Sequence, residues 1–131
     1  MEWYLKVMND NYSNFSGRAR RKEFWMFYLF YVIALIVAMI LDQALGLTWD
    51  MGYGVQSAYG WCYLLVGLFH FIPFLGLHAR RMHDVGKSGW FLLICLVPIV
   101  GSIWLLILWC TDGQVADNAY GSNPKIEKEA A

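Results

Sequence analysis

Read by polarity, the chain alternates long apolar runs with short charged ones. Phe24 to Leu41 holds about 18 residues without a charge, close to the roughly 20 that cross a hydrocarbon core of about 30 Å, and predicts a first transmembrane helix. Trp61 to Leu77 gives a second, about 17 residues long and at the short end of what crosses, extended by residues before Trp61. Pro73 lies inside it; the missing N–H leaves the Phe69 carbonyl unpaired and predicts a kink. Trp90 to Cys110 supplies about 21 residues for a third span, with Ser88 placed to cap its start. Pro98 and Gly101 interrupt its middle, as a kink or as a broken helix that turns back, and length favours the kink.

The stretches between are short. In Met1 to Tyr12, Trp3, Tyr4, Val7 and Met8 recur at helical spacing opposite Glu2, Lys6 and Asp10, the pattern of a short interfacial helix or of a frayed terminus with two aromatics in the headgroups. Ser13 to Gly17 reads as a linker. Asp42 to Gly60 reads as a glycine-bearing loop whose Trp49, Tyr53 and Tyr59 suit the opposite interface. The whole is expected to be an all-α, multi-pass membrane domain over residues 1–124, with helices at 24–41, 61–77 and 90–110 and a disordered tail at 125–131. A signal peptide is the rival for the first run, but the run is longer than a signal core of roughly 7 to 15 residues.

Composition sharpens this. Of 131 residues, 59% are hydrophobic and 15% charged, too apolar for a soluble domain of that length, so the excess must face lipid. A net charge of zero hides a strong asymmetry: Lys6, Arg18, Arg20, Arg21 and Lys22 precede the first span, the first loop has no Lys or Arg, and Arg80, Arg81 and Lys87 follow the second. Basic flanks stay cytoplasmic, which places the N-terminus and the Arg80-Arg81 loop inside. Three spans then put the tail outside; a re-entrant third segment, or an extra span in the first loop, would return it to the cytoplasm.

Complete chemical motifs are lacking. Gly86-Lys87-Ser88 has Arg81 where a phosphate loop needs its first glycine. His78 and His83 are five apart and point about 140° away from each other on a helix, so no metal or other cofactor is expected. Cys62, Cys95 and Cys110 lack metal or disulfide spacing. His70 stands alone at bilayer depth, where a bond to a neighbouring helix's backbone is the better reading, the carbonyl freed by Pro73 being one partner. Glu23 can face Arg20 three residues away, and Asp84 can neutralise Arg80 or Arg81 at four- and three-residue spacing. The strongest constellation is Arg18, Arg20, Arg21, Arg80 and Arg81 with His83 and Asp84. It suits anionic headgroups or a carboxylate partner, and topology signalling alone also accounts for its charges.

Phe15-Ser16-Gly17-Arg18-Ala19-Arg20-Arg21-Lys22-Glu23-Phe24-Trp25, then Arg80-Arg81-Met82-His83-Asp84-Val85-Gly86-Lys87-Ser88-Gly89-Trp90, then Asn118-Ala119-Tyr120-Gly121 with Pro124, together resemble the bacterial inner-membrane proteins of the domain of unknown function 805 family. The resemblance covers Trp3 to Pro124; Met82 stands where many members have leucine. It implies a small multi-pass protein of the bacterial cytoplasmic membrane, brings no reaction, and suggests that Asn118 to Gly121 belongs with the other motifs. Three functions are weighed. The first is a non-enzymatic module binding anionic lipid or a partner protein at its basic cytoplasmic face. The second is a small transport or channel subunit, a homo-oligomer around a path lined by His70, Ser102 or the regions near Pro73 and Pro98. The third is an enzyme using His83 and Asp84 as acid and base, disfavoured because adjacent helical residues point about 100° apart. No nucleic-acid partner is expected.

Overall fold

A computed structural model describes residues 1–126. It is mostly helical, and two helices are long and apolar enough to cross a membrane: α2, Arg21–Leu45, and α3, Trp61–Asp84. α2 leaves Leu29, Ile33, Ile36, Val37 and Ile40 exposed, and α3 leaves Leu65, Leu68, Phe69 and Phe71 exposed, as apolar side chains without a polar face do when their solvent is lipid. α3 runs through Pro73 without a break in its helical course. The N-terminal pattern forms helix α1, Glu2–Leu5, followed by a π-helical turn over Lys6–Asp10. Val7 is fully buried there, and the ring of Tyr4 stacks on Phe27 at 5.7 Å.

The chain divides into two compact units. The smaller, Tyr28–Ile72, carries the turn between the long helices. Where the sequence suggested only a loop, α2 continues to Leu45 and a small antiparallel hairpin follows, β1 (Thr48–Asp50) against β2 (Gln56–Gly60), with Thr48 opposite Gly60 and Asp50 opposite Gln56. Trp49 meets Tyr59 and Trp61 edge-on, at 6.3 and 5.7 Å. Asp42, buried in the last turns of α2, explains why this corner is ordered. Its carboxylate accepts from the backbone N–H groups of Gly60 (2.8 Å), Cys62 (2.8 Å) and Tyr63 (2.9 Å). These are donors at the start of α3 that no helical carbonyl can reach, and a carboxylate there also meets the positive end of the helix dipole. His70 is buried in this unit; its Nδ1 bonds the carbonyl of Val66, 2.8 Å away in the same helix, where the sequence pointed to a neighbouring helix or to Phe69.

The larger unit comprises Met1–Phe27 and the chain from Pro73 onward. Here the expectation of one helix over 90–110 is corrected. Gly89–Leu96 is a 3₁₀ helix and Val100–Cys110 is a separate helix, α4. Ser88 does cap the start, its Oγ accepting from the Trp90 N–H at 3.3 Å. Pro98-Ile99-Val100 forms a γ-turn: Ile99 has φ 65° and ψ −64°, and the Val100 N–H donates to the Pro98 carbonyl at 2.7 Å. Gly101 packs so closely on the Ile94 carbonyl that a Cβ would overlap it. At the rises of these helices each arm reaches only about 16 Å, half of a hydrocarbon core. Both ends of the segment nevertheless meet the same place. Gly89 lies against Ala79 and His83 near the end of α3, and the carbonyls of Cys110 and Thr111 accept from Arg21 and Arg81. The segment is a hairpin, and its bend (Leu96, Val97, Ile99, Val100) is apolar and exposed. The 125–131 tail expected to be disordered lies, from residue 127 on, outside the described residues.

Candidate functional site

The arginine-rich motifs converge in the larger unit, where three chain segments meet the end of α3. The first is the linker entering α2. The Ala19 N–H donates to the Arg80 carbonyl at 3.0 Å, and His83 Nδ1 bonds the Gly17 carbonyl at 3.0 Å, which places the proton on Nδ1. The second is the end of α4. The third is the segment after it, which completes the last turn of α3: the Gln114 N–H donates to the Asp84 carbonyl at 2.9 Å and Asn118 Nδ2 to the His83 carbonyl at 3.0 Å. Carbonyls that a helix terminus leaves open are thus satisfied by chain some 30 residues downstream.

Asn118 to Gly121 is built for this task. Asn118 Oδ1 accepts from the Tyr120 N–H at 2.9 Å, while the backbones of Asn118 and Gly121 exchange two hydrogen bonds, of 3.1 and 3.0 Å. Gly121 at φ 128° permits the turn. Tyr120 is thereby laid flat on His83, ring centroids 3.9 Å apart and planes 1° from parallel.

Asp84 joins two of the arginines. Its Oδ1 accepts from Arg18 Nε at 3.0 Å and its Oδ2 from Arg81 Nη1. Arg18 spends its remaining nitrogens on the carbonyls of Ala116 (3.0 Å), Gly121 (3.3 Å) and Gln114. Arg81, with no exposed surface, also bonds the carbonyls of Ala19, Trp109 and Thr111. Arg21 reaches the Cys110 carbonyl at 2.9 Å. Two guanidiniums therefore sit at the negative end of α4, where cations are favoured. Arg80 turns the other way, its Nη1 bonding Glu23 Oε1 at 2.9 Å, with Lys6 Nζ 3.8 Å from the second oxygen.

The expected local pairs are thus half replaced. Arg81 and Asp84 do pair at three-residue spacing, but Asp84 takes Arg18 rather than Arg80, and Glu23 takes Arg80 and Lys6 while Arg20 lies over the Trp3 ring at 5.6 Å. Of the expected binding residues, Arg18, Arg80, Arg81 and Asp84 are buried in this network, His83 and Arg20 are half-buried, and Arg21 is exposed. Exposed Lys6, Lys22, Lys87 and Lys125 complete the basic set among the described residues. At the rim, the hydrogen bond from Lys125 and the charge of Arg21 hold the Asp112 carboxyl below its ordinary range. The partners Glu23, Gln114 and the backbone of 109–121 were missed by spacing, because they lie far along the chain. The Asn118 to Gly121 motif was the one signal of them.

Two long apolar helices, a short apolar hairpin and a basic end closed by buried ion pairs define a small helical membrane protein. The chain belongs to the family described as "Protein of unknown function (DUF805)", whose profile matches residues 12–122. It is 38% identical over 127 residues to the protein named inner membrane protein YhaH of Escherichia coli (strain K12), covering 97% of this chain and 99% of that one. To inner membrane protein YhaI of the same organism it is 42% identical over 126 residues, covering 96% and 98%. No solved structure matches.

Proposed function

We propose that the chain is a non-enzymatic protein of the bacterial cytoplasmic membrane that binds anionic lipid at its basic cytoplasmic face. The observation that carries this reading is the division of labour among the cations. Arg18 and Arg81 are consumed by internal carbonyls and Asp84, whereas Arg20 lies half-buried over Trp3 and Arg21 and Lys22 are exposed at the start of α2. Cations flanking an interfacial aromatic at the start of a spanning helix suit the negative surface of the cytoplasmic leaflet, worth about 1 kcal/mol per Lys or Arg.

The same wiring supports a topology of two spans, α2 and α3, with 89–110 as a re-entrant hairpin and both the N-terminus and residues 112–126 cytoplasmic. Three full spans would separate residues 114–121 from Arg18 and Asp84 by the thickness of the bilayer, and those residues are in hydrogen-bond contact.

Native mass spectrometry from mild detergent tests the function, comparing wild type with Arg20→Gln/Lys22→Gln. Anionic lipid retained by the wild type and reduced in the variant is expected; equal lipid on both refutes it. Orientation is read in the same membranes from Val115→Cys in a chain freed of Cys62, Cys95 and Cys110. Labelling by an impermeant maleimide only after the cytoplasmic side is opened is expected, and labelling from the outside overturns the topology.

A further inference from the structure

We infer that a cavity beside Arg80 is a binding site for a phosphate-class oxyanion. The inference deepens the reading of this face as anion-binding and rests on it. The cavity, about 230 Å³, is lined by Lys6, Asn14, Ser16, Arg18, Arg80 and Ser122 among others, so the N-terminal segment, the end of α3 and the chain after α4 all contribute.

Arg80 marks it as more than a crevice. The residue is 3% exposed and spends only Nη1, on Glu23; its Nε and Nη2 are buried without a hydrogen-bond partner. Buried donors of a charged group are rarely left open, and an ion or ligand is a recognised reason for an exception. Nε and Nη2 form one edge of the guanidinium fork, the edge that donates to two oxygens of a phosphate side by side.

Charge points the same way. Buried Arg18, Arg80 and Arg81 face the buried carboxylates of Glu23 and Asp84, and Lys6 stands 3.8 Å from Glu23 at the rim. Among the described residues of this cluster, three buried cations meet two buried carboxylates, with Lys6 and Asp112 exposed at the rim. Buried charge without a counter-charge is costly, and an oxyanion bearing one or two charges supplies it. Each nitrogen of Arg18 is already engaged, so Arg80 and Lys6 are the ligands of the site, with Ser16 in its wall. The same chemistry is offered by a lipid headgroup phosphate and by free phosphate.

The experiment keeps these sources apart. Full-length protein in phosphate-free maltoside micelles is titrated with inorganic phosphate by calorimetry; in a second arm the micelles carry phosphatidylglycerol and bound lipid is counted by native mass spectrometry. Saturable one-to-one binding in at least one arm is expected, weakened about tenfold or more by Arg80→Lys, which keeps the charge facing Glu23 but loses the fork, and by Lys6→Gln, which changes an exposed side chain. Wild type that binds in neither arm, or binding unchanged in both variants, overturns the site. Lipid lost in Arg20→Gln/Lys22→Gln yet untouched by Arg80→Lys and Lys6→Gln removes the cavity site and leaves the wider face; lipid and phosphate absent throughout remove both.

Discussion

Replacing Asp84 by asparagine removes the charge that joins Arg18 to Arg81 while keeping the shape of the side chain. Both carboxylate oxygens are engaged, Oδ1 by Arg18 Nε at 3.0 Å and Oδ2 by Arg81 Nη1. Asparagine retains one acceptor and turns an NH₂ toward the other guanidinium, so one charge-assisted bond becomes a donor facing a donor. The arginine side chains are 1% and 0% exposed, and water cannot take the place of the lost partner. Removing one member of a buried ion pair costs about 3–5 kcal/mol, a large part of the ~5–15 kcal/mol that holds a domain folded. The loss is expected at the basic end first, because Arg18 and Arg81 there hold the carbonyls of residues 109–121. Hydrogen exchange by mass spectrometry in micelles should show the amides of Gln114 and Gly121 losing protection in Asp84→Asn while those of Cys62 and Tyr63, held by Asp42, keep theirs. Gly113→Ala is an independent approach to the same atoms, since a Cβ at Gly113 would overlap the Asp84 carboxylate. If Asp84→Asn leaves exchange at 114–121 unchanged and stability within about 1 kcal/mol of wild type, the ion-pair reasoning is refuted.

Two further outcomes follow from single features. Asp42→Ala strips three N–H groups at the start of α3 of their acceptor, so exchange at Gly60, Cys62 and Tyr63 should accelerate together, with little change at Asn118; acceleration at one site alone would show that the carboxylate is not a shared cap. Ile99→Gly relieves a β-branched residue held at φ 65°, a conformation costing about 1–3 kcal/mol, so thermal stability in micelles should rise; a fall would mean that the bend is not strained or that the exposed Ile99 side chain contributes more than the strain takes away.

The spans were legible because lipid imposes a one-dimensional rule: length without charge. That rule located α2 and α3, and over 89–110 it counted as one helix what the structure divides into a 3₁₀ helix and α4, two arms of about half the bilayer thickness that add up to the length of one span. Pro98 and Gly101 did mark the break, and the γ-turn at Ile99, the packing of Gly101 on Ile94 and the return of both ends to the end of α3 decide between kink and hairpin. Charge placement gathered the right arginines, and the resemblance tied Asn118 to Gly121 to them. What spacing could not reach was partner choice. Glu23 is three residues from Arg20 and pairs with Arg80, 57 residues away, because pairing at buried sites follows the fold and helical neighbourhood is only one contributor. Asp42 gave no sign at all: a single acidic residue at the end of an apolar run reads as a boundary, and the three hydrogen bonds its carboxylate accepts depend on where α3 begins.

The last turn of α3 is finished by residues that the ribosome makes late. Chains are synthesised from the N-terminus, so α2, the hairpin and α3 enter the membrane while Gln114, Asn118 and Gly121 are still to come. Until those residues emerge, Arg18 lacks its carbonyl partners and the end of α3 keeps open carbonyls. Closure of the basic end therefore waits for residues 114–121, and a nascent chain cut short before residue 121 carries an unsatisfied Arg18 and open carbonyls that distinguish it from the folded protein.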